Sequence, residues 1–261
     1  MDSKDADKFY TNPDVVEFCG LMYSKYVRVG VETVVEPSAG AGAFGLYVDI
    51  MLDLYPEPNV PGIIKQDFLK WDSSQYKFYL GNPPFGRNSS LAKKFFNHAA
   101  KGKGIIGFIL PRTFRKSSIT NSLDLNFWLL EECILNKNSF TLEGKPYAVP
   151  CVFQIWEYRV EKRTKIQLPT THSDFSFVSK EEADFSIRRV GGNAGKINPH
   201  NNYAAASNYF IKVENDMKHA QAVFSEIQSR LQERAKDTAG NPSIGKGELI
   251  LEYTQFMREN T

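Results

Sequence analysis

The sequence predicts a doubly wound α/β fold, a mostly parallel sheet covered on both faces, with a small C-terminal α+β extension. Three observations carry that expectation. Short apolar runs alternate with helical patterns along residues 1–160, one of the runs breaks into a glycine-rich turn, and the character of the chain changes after about Tyr158.

The first helix is announced by Asn12 as a cap and Pro13 at the first helical position, with Val15, Phe18, Cys19, Met22 and Tyr26 marking an apolar face and an end expected near Arg28-Val29-Gly30. The β-branched run Glu32–Glu36 then breaks into Pro37-Ser38-Ala39-Gly40-Ala41-Gly42-Ala43-Phe44-Gly45, which predicts strand, glycine turn and helix, the opening of a mononucleotide-binding βα unit. Further apolar runs lie at Ile50–Tyr55, Ile63-Ile64, Phe78–Leu80, Ile105–Leu110 and Val149–Tyr158. Helical patterns are expected over Leu91–Ala100 and Ser122–Cys133. Such alternation favours parallel strands joined by crossovers. From Arg159 to Lys165 the chain turns basic and polar. Strand-like pieces follow around Phe175–Val178, Asp184–Val190 and Tyr209–Val213, and an amphipathic helix is expected from about Asn215 to Lys236, with Met217, Ala220, Phe224, Ile227 and Leu231 on one stripe. The expected organisation is therefore one domain over 1–160 and an extension over 161–261.

Composition excludes the non-globular classes. Of the 261 residues 42% are hydrophobic and 24% charged, inside the normal globular range. The polar, acidic start and the absence of a membrane-length apolar run give the expectation of an intracellular protein without a membrane partner. Cys19, Cys133 and Cys151 have no zinc-like spacing, and His98, His172, His200 and His219 are isolated, so no metal is expected. A formal charge of only +2 means that any polyanion has to be held by a local basic patch rather than by a global field.

Gly40, Gly42 and Gly45 match G-x-G-x-x-G, a pattern shared by dinucleotide enzymes and many tight turns. A nicotinamide cofactor calls for an acid about 20 residues further on. Asp53 and Asp49 come sooner, which argues against it. The deciding segment is Gly81-Asn82-Pro83-Pro84-Phe85-Gly86, directly after an apolar run, where an open α/β sheet places its ligands. Its chemistry suits a planar amine. The nitrogen lone pair of such an amine is delocalised, and two acceptors aimed at its N–H bonds, the Asn82 side-chain oxygen and the Pro83 carbonyl, favour the geometry in which that pair returns to nitrogen. Consecutive prolines, Pro83 and Pro84, stiffen the acceptors, and Phe85 is expected to stack on the amine's ring.

These residues resemble a family. Glu36-Pro37-Ser38-Ala39-Gly40-Ala41-Gly42-Ala43-Phe44 is similar to the cofactor motif of S-adenosylmethionine-dependent amino-methyltransferases, and Asn82-Pro83-Pro84-Phe85 to their catalytic motif. The motif order resembles the gamma arrangement of adenine-N6 methyltransferases, and Phe9-Tyr10-Thr11-Asn12-Pro13 resembles their amino-terminal segment. The resemblance covers about Phe9 to Tyr158. It implies a Rossmann-like methyltransferase sheet with S-adenosyl-L-methionine as cofactor, and Asn82, Pro83, Pro84 and Phe85 as the catalytic set. It further implies that Glu36 and the backbone of Ala39 to Gly42 contact the methionine part, that the segment with Phe9, Tyr10 and Thr11 helps hold that end, and that Pro37, Ser38, Gly40, Phe44 and Asn82 also belong to the cofactor site. Asp53 would accept the ribose hydroxyls, although the gap after Phe44 is shorter than the usual pattern. Asp67 would accept from the cofactor's adenine amine with Phe68 beside its ring; a turn cap is the other role open to Asp67.

The implied substrate is adenine in nucleic acid, DNA favoured over RNA, with the target base flipped from the stack if the substrate is duplex. Two basic clusters are candidates for substrate contact: Arg112, Arg115 and Lys116, and the glycine-rich Arg188, Arg189 and Lys196 segment, which equally fits a solvated hairpin tip. An extension of this size is small for a base-reading domain, so low intrinsic specificity or a helper subunit is expected. The alternatives are a protein glutamine methyltransferase, since a carboxamide is also a planar amine, and an inactive scaffold that keeps the fold.

Overall fold

A computed structural model describes residues 10–136, 138–142, 145–200, 202–238 and 240–260. The chain divides into two compact units, Met1–Lys165 and Ile166–Thr261.

In chain order the first unit contains β1 (Tyr10–Thr11), α1 (Pro13–Tyr23), β2 (Val34–Glu36), β3 (Ile50–Asp53), β4 (Ile63–Lys65), β5 (Phe78–Gly81), α2 (Ser90–Ala99), β6 (Ile105–Pro111), α3 (Ser117–Thr120), β7 (Phe127–Ile134), β8 (Phe140–Leu142), β9 (Lys145–Tyr147) and β10 (Cys151–Tyr158). Seven strands form the main sheet in the order β4-β3-β2-β5-β6-β10-β7. β2 pairs parallel with β3 and β5, β3 with β4, and β5 with β6, while β10 runs antiparallel to both β6 and β7. Six strands therefore share one direction and β10 alone is reversed. This is the expected doubly wound, mostly parallel α/β architecture. Chain order runs outward from β2 through β3 to β4, then returns to the other side of β2 with β5. The switch point lies between β2 and β5, and in such sheets the crevice beyond the carboxyl ends of those strands receives the ligand. β1, β8 and β9 form a separate small antiparallel sheet.

Buried side chains from β2, β5, β6 and β10, among them Val34, Val35, Leu80, Phe108, Ile109, Phe153 and Ile155, make the core with Cys19 and Tyr23 of α1 and Phe96 of α2. Continuous apolar strands of this kind are what a sheet covered on both faces needs.

Four local expectations are corrected. The glycine motif does not open a helix: residues 40–47 form successive turns, with bonds from Gly42 N to Ala39 O, Gly45 N to Gly42 O and Tyr47 N to Phe44 O. Left-handed φ at Gly40 (54°) and Gly42 (73°) prevents helical continuation. The stretch 122–133 is not helical either; its second half is β7, drawn into the sheet by pairing along β10. α1 ends at Tyr23 and buries Val16, Cys19, Gly20, Met22 and Tyr23, leaving Phe18 and Tyr26 exposed. Asn12 occupies the cap position, yet its side-chain amide donates to Asn138 O instead of accepting from the helix.

The second unit contains β11 (Phe175–Phe177), β12 (Phe185–Arg188), β13 (Ile197–Asn198), β14 (Asn208–Val213), α4 (Met217–Ala235) and α5 (Lys246–Glu259). Its four-stranded sheet, β11-β14-β12-β13, is antiparallel throughout. Phe175, Phe185, Ile187 and Ile211 pack with Val223, Phe224, Ile227 and Leu231 of α4 and with Leu249, Ile250 and Tyr253 of α5. The expected helix near 215–236 is α4. α5 was not expected, because Gly240, Pro242 and Gly245 read as loop up to its start. No described helix is long and apolar enough to cross a membrane.

Candidate active site

A cavity of about 490 Å³ opens at the carboxyl ends of β2, β3 and β5. That volume is within the range of small-molecule and cofactor pockets. β2 ends on Glu36 and β5 on Gly81, so Asn82 enters the cavity beside Glu36. The two strand ends touch closely: a Cβ on Gly81 would lie 3.1 Å from Glu36 Cγ, and Gly81 itself has φ +155°.

Glu36 is 2% exposed, and among the described residues its Oε2 has no hydrogen-bond partner. Burial, and secondarily the Asp53 carboxylate, hold its carboxyl well above the ordinary glutamate range. A carboxylate in that position is costly unless a cation or a donor reaches it. Asp53, at the end of β3, is also buried and accepts from Gly40 N (2.7 Å) and Tyr55 N (2.7 Å), so it ties the glycine turn to the end of its strand. The ribose role implied by the resemblance thus falls on a carboxylate that already accepts two backbone donors, though Asp53 still lines the cavity.

The amide nitrogen of Asn82 donates to Thr11 Oγ1 at 3.2 Å, which turns the amide's nitrogen toward β1. Thr11 is held in turn by pairing of β1 with β8 and by Asn12 N donating to Ser139 O. Tyr10 donates its hydroxyl to Glu57 Oε1 at 2.7 Å, and burial together with that carboxylate pushes its pKa up to about 12. The amino-terminal strand is therefore pinned over the cavity from both sides.

At the other end the lining is apolar. Phe68, 2% exposed, packs against Phe95, Tyr79 and the His98 ring, with centroids 5.2, 5.8 and 4.9 Å away. Asp67 takes the cap role: it accepts from Leu69 N at 3.0 Å, lies 3.6 Å from Lys70 Nζ, and still borders the cavity.

The expected residues Tyr10, Thr11, Glu36, Pro37, Ser38, Ala39, Gly40, Phe44, Asp53, Asp67, Phe68, Asn82, Pro83 and Pro84 all line this one cavity. Gly42 does not; it faces Val60 and Met51. Phe9 lies outside the described residues. Phe85, expected to stack on the target base, is 7% exposed and packs in the hydrophobic core, while Pro84 before it and Gly86 after it line the cavity. Leu54, Tyr55, Gln66, Leu69, Leu91 and Phe95 line the cavity without having been singled out. Leu91 and Phe95 are four apart on α2 and so share a face, a spacing that in sequence reads only as packing.

The first basic cluster, expected to contact substrate, lies outside this cavity. None of Arg112, Arg115 and Lys116 lines the cavity: Arg112 is 8% exposed, and Arg115 pairs with Glu132 at 2.9 Å. In the second unit, Arg188 and Lys196 face each other across the β12–β13 hairpin, where Arg188 N donates to Lys196 O and Gly195 N to Arg188 O. Among the described residues no group of three His, Cys, Asp or Glu side chains is placed to hold a metal ion.

No family model and no curated protein matches the chain. Among solved structures it is similar to a candidate RNA methyltransferase, PH1948 from Pyrococcus horikoshii, with a TM-score of 0.48 and 14% identity over 61% of this chain and 91% of that one. Thermoplasma acidophilum 1320 gives a TM-score of 0.44 and 14% identity over 58% and 89% of the two chains. The 23S rRNA methyltransferase ErmE gives a TM-score of 0.41 and 12% identity over 59% and 71%.

Proposed function

We propose that the first unit is an S-adenosylmethionine-dependent methyltransferase acting on the exocyclic N6 amine of adenine in nucleic acid. The observation that carries this is the meeting, in one cavity at the switch point, of a buried carboxylate whose Oε2 has no partner among the described residues, a glycine turn, and the segment Asn82-Pro83-Pro84. Glu36 fits a cationic ligand, as the methionine end of this cofactor is, and Phe68 and Phe95 fit a planar heterocycle at the opposite end. When bound, the cofactor supplies an electrophilic methyl group.

The remaining work belongs to the chain. Asn82, its amide oriented by Thr11, and the Pro83 carbonyl would accept from the two N–H bonds of the amine and hold its lone pair on the line of attack. Pro83 and Pro84 stiffen that pair of acceptors. The apolar wall of Leu91 and Phe95 excludes water, which strengthens those contacts. A general base is unnecessary, since the amine loses its proton readily once alkylated.

The test is radiolabelled methyl transfer from S-adenosylmethionine to DNA, RNA and protein pools side by side, with calorimetric cofactor binding on the same samples. Label is expected in a nucleic-acid pool, and Asn82→Ala should lower it by about 10²–10³-fold, the usual effect of deleting one positioned hydrogen-bonding group, with cofactor affinity changed only a few-fold. Label confined to protein would move the assignment to a glutamine methyltransferase. Absence of cofactor binding would reject the enzyme altogether.

A further inference from the structure

The second unit gathers exposed cations around one aromatic ring. Two backbone hydrogen bonds assemble this group, Ile244 N donating to Arg189 O and Gly191 N to Pro242 O, which together make the antiparallel bridge between Val190 and Ser243. The hairpin tip after β12 is thereby stitched to the start of α5, and Arg189 and Lys246 come to the same aromatic ring. Arg189 lies 5.6 Å and Lys246 5.8 Å from the centroid of Tyr209, and Lys246 is also 4.6 Å from that of Phe177. Both cations are exposed, as is Lys196. Arg188 braces the tip by donating to Val190 O and Ser207 Oγ, neutral acceptors that leave its charge in place.

None of these four cations makes an ion pair among the described residues. The nearby carboxylate, Glu248, is 6% exposed and accepts from Gly245 N, so it points into the unit as a cap. Gly192 leaves the tip open, since a Cβ there would meet nothing within 4 Å. Arg188 is held by its hydrogen bonds and Arg189 and Lys246 by the rings beneath them, and with the exposed Lys196 on the same hairpin this is a composition suited to a chain of phosphates.

We propose that Arg188, Arg189, Lys196 and Lys246 form a phosphate-binding surface for single-stranded nucleic acid. This rests on the nucleic-acid half of the function proposed above and is independent of its methyl chemistry. Arg189 and Lys246 contact successive phosphates, and Tyr209 and Phe177 keep the two cations at a fixed separation.

The experiment is fluorescence anisotropy with the full chain and labelled DNA and RNA single strands of about 20 nucleotides, longer than most single-strand footprints, titrated between about 50 and 200 mM salt. Arg189→Ala/Lys246→Ala should weaken binding at least about 10-fold and flatten the log–log salt slope by about 1.4, two contacts at about 0.7 each for single strands. The charge-keeping pair Arg189→Lys/Lys246→Arg should stay within about 3-fold of wild type, as expected for phosphate contacts read chiefly as charge. Lys218→Ala/Arg258→Ala, which removes the same charge from other parts of α4 and α5, should have little effect. Equal loss in that control, or no binding by wild type, overturns the surface. Cofactor calorimetry on the same samples reports separately on the first unit, so the two proposals fail distinguishably.

Discussion

At residue 36 burial and charge oppose each other. The Glu36 carboxyl, 2% exposed and beside Asp53, is displaced upward first by desolvation and then by that neighbour. Because the folded state holds this proton more tightly than the unfolded chain does, the sign is fixed: the contribution to stability is complete below about pH 4.5, the ordinary glutamate value, and is lost as pH rises through the raised one. Glu36→Gln should therefore raise the melting temperature of the ligand-free protein by about 3 °C at pH 8, the scale of ~1 kcal/mol in a chain of this size, with the gain shrinking toward pH 5. The same variant should weaken S-adenosylmethionine binding. Scanning calorimetry across pH, with and without cofactor, checks both, and a destabilised variant at pH 8 would show that the carboxylate is already compensated. Sequence already puts Glu36 and Asn82 at strand ends, because an apolar run followed by glycine or Pro-Pro has few other places for them. It does not reveal that Phe85 turns inward or that Asp53 holds two backbone N–H groups, since both depend on loop paths that no local pattern encodes.

Among the elements, strands were more legible than helices. A strand is a short apolar run wherever it lies in the sheet, so the runs at 34, 50, 63, 78, 105 and 151 are strands as expected. β7 was hidden because the apolar residues Leu125, Phe127, Leu129 and Leu130 suit either period, and pairing with β10 decides between them. Arg163 shows the converse error. It lies in a segment that composition marks as solvated, yet it is 9% exposed, with Nε donating to Phe127 O at 2.9 Å and Nη2 to the carbonyls of Thr120 and Leu123, and with its guanidinium 5.6 Å from the Trp156 ring. One side chain thus clasps the end of α3, the loop after it, β7 and β10. Arg163→Ala should destabilise the first unit by about 3 kcal/mol, since it leaves buried carbonyls without their charged donor, and Arg163→Lys should recover less than half, because an ammonium cannot span the same fork. Chemical denaturation measures both; a loss under about 1 kcal/mol would mean that water replaces the clasp.

On the scale of the whole chain, the two units differ in how they are held together. The first is a mostly parallel sheet whose contacts join distant segments, whereas the second is an antiparallel sheet with α4 and α5 adjacent in sequence. Residues 159–163 belong to the first unit through Arg159 N to Asn126 O, Arg163 N to Leu125 O and Trp128 Nε1 to Glu161 O, which is why the division falls at Lys165. The second unit has its own core, in which Phe175, Phe224 and Tyr253 meet ring to ring with centroids 4.9–5.1 Å apart. His172 stacks on Phe175 at 5.2 Å, and Tyr253 donates to Asp174 at 3.1 Å, so even the segment leading into β11 is anchored within the unit. A domain of this length with a closed aromatic core meets the usual conditions for independent folding. Residues 166–261 made alone should unfold in one cooperative transition with a stability of about 5–10 kcal/mol, and residues 1–165 alone should retain S-adenosylmethionine binding within about 5-fold, because every residue lining the cavity lies in that segment. Circular dichroism melts of the two halves and calorimetry of the first decide the matter: a non-cooperative second half, or a first half unable to bind a cofactor that the full chain binds, would mean that the isolated half depends on the other for its fold.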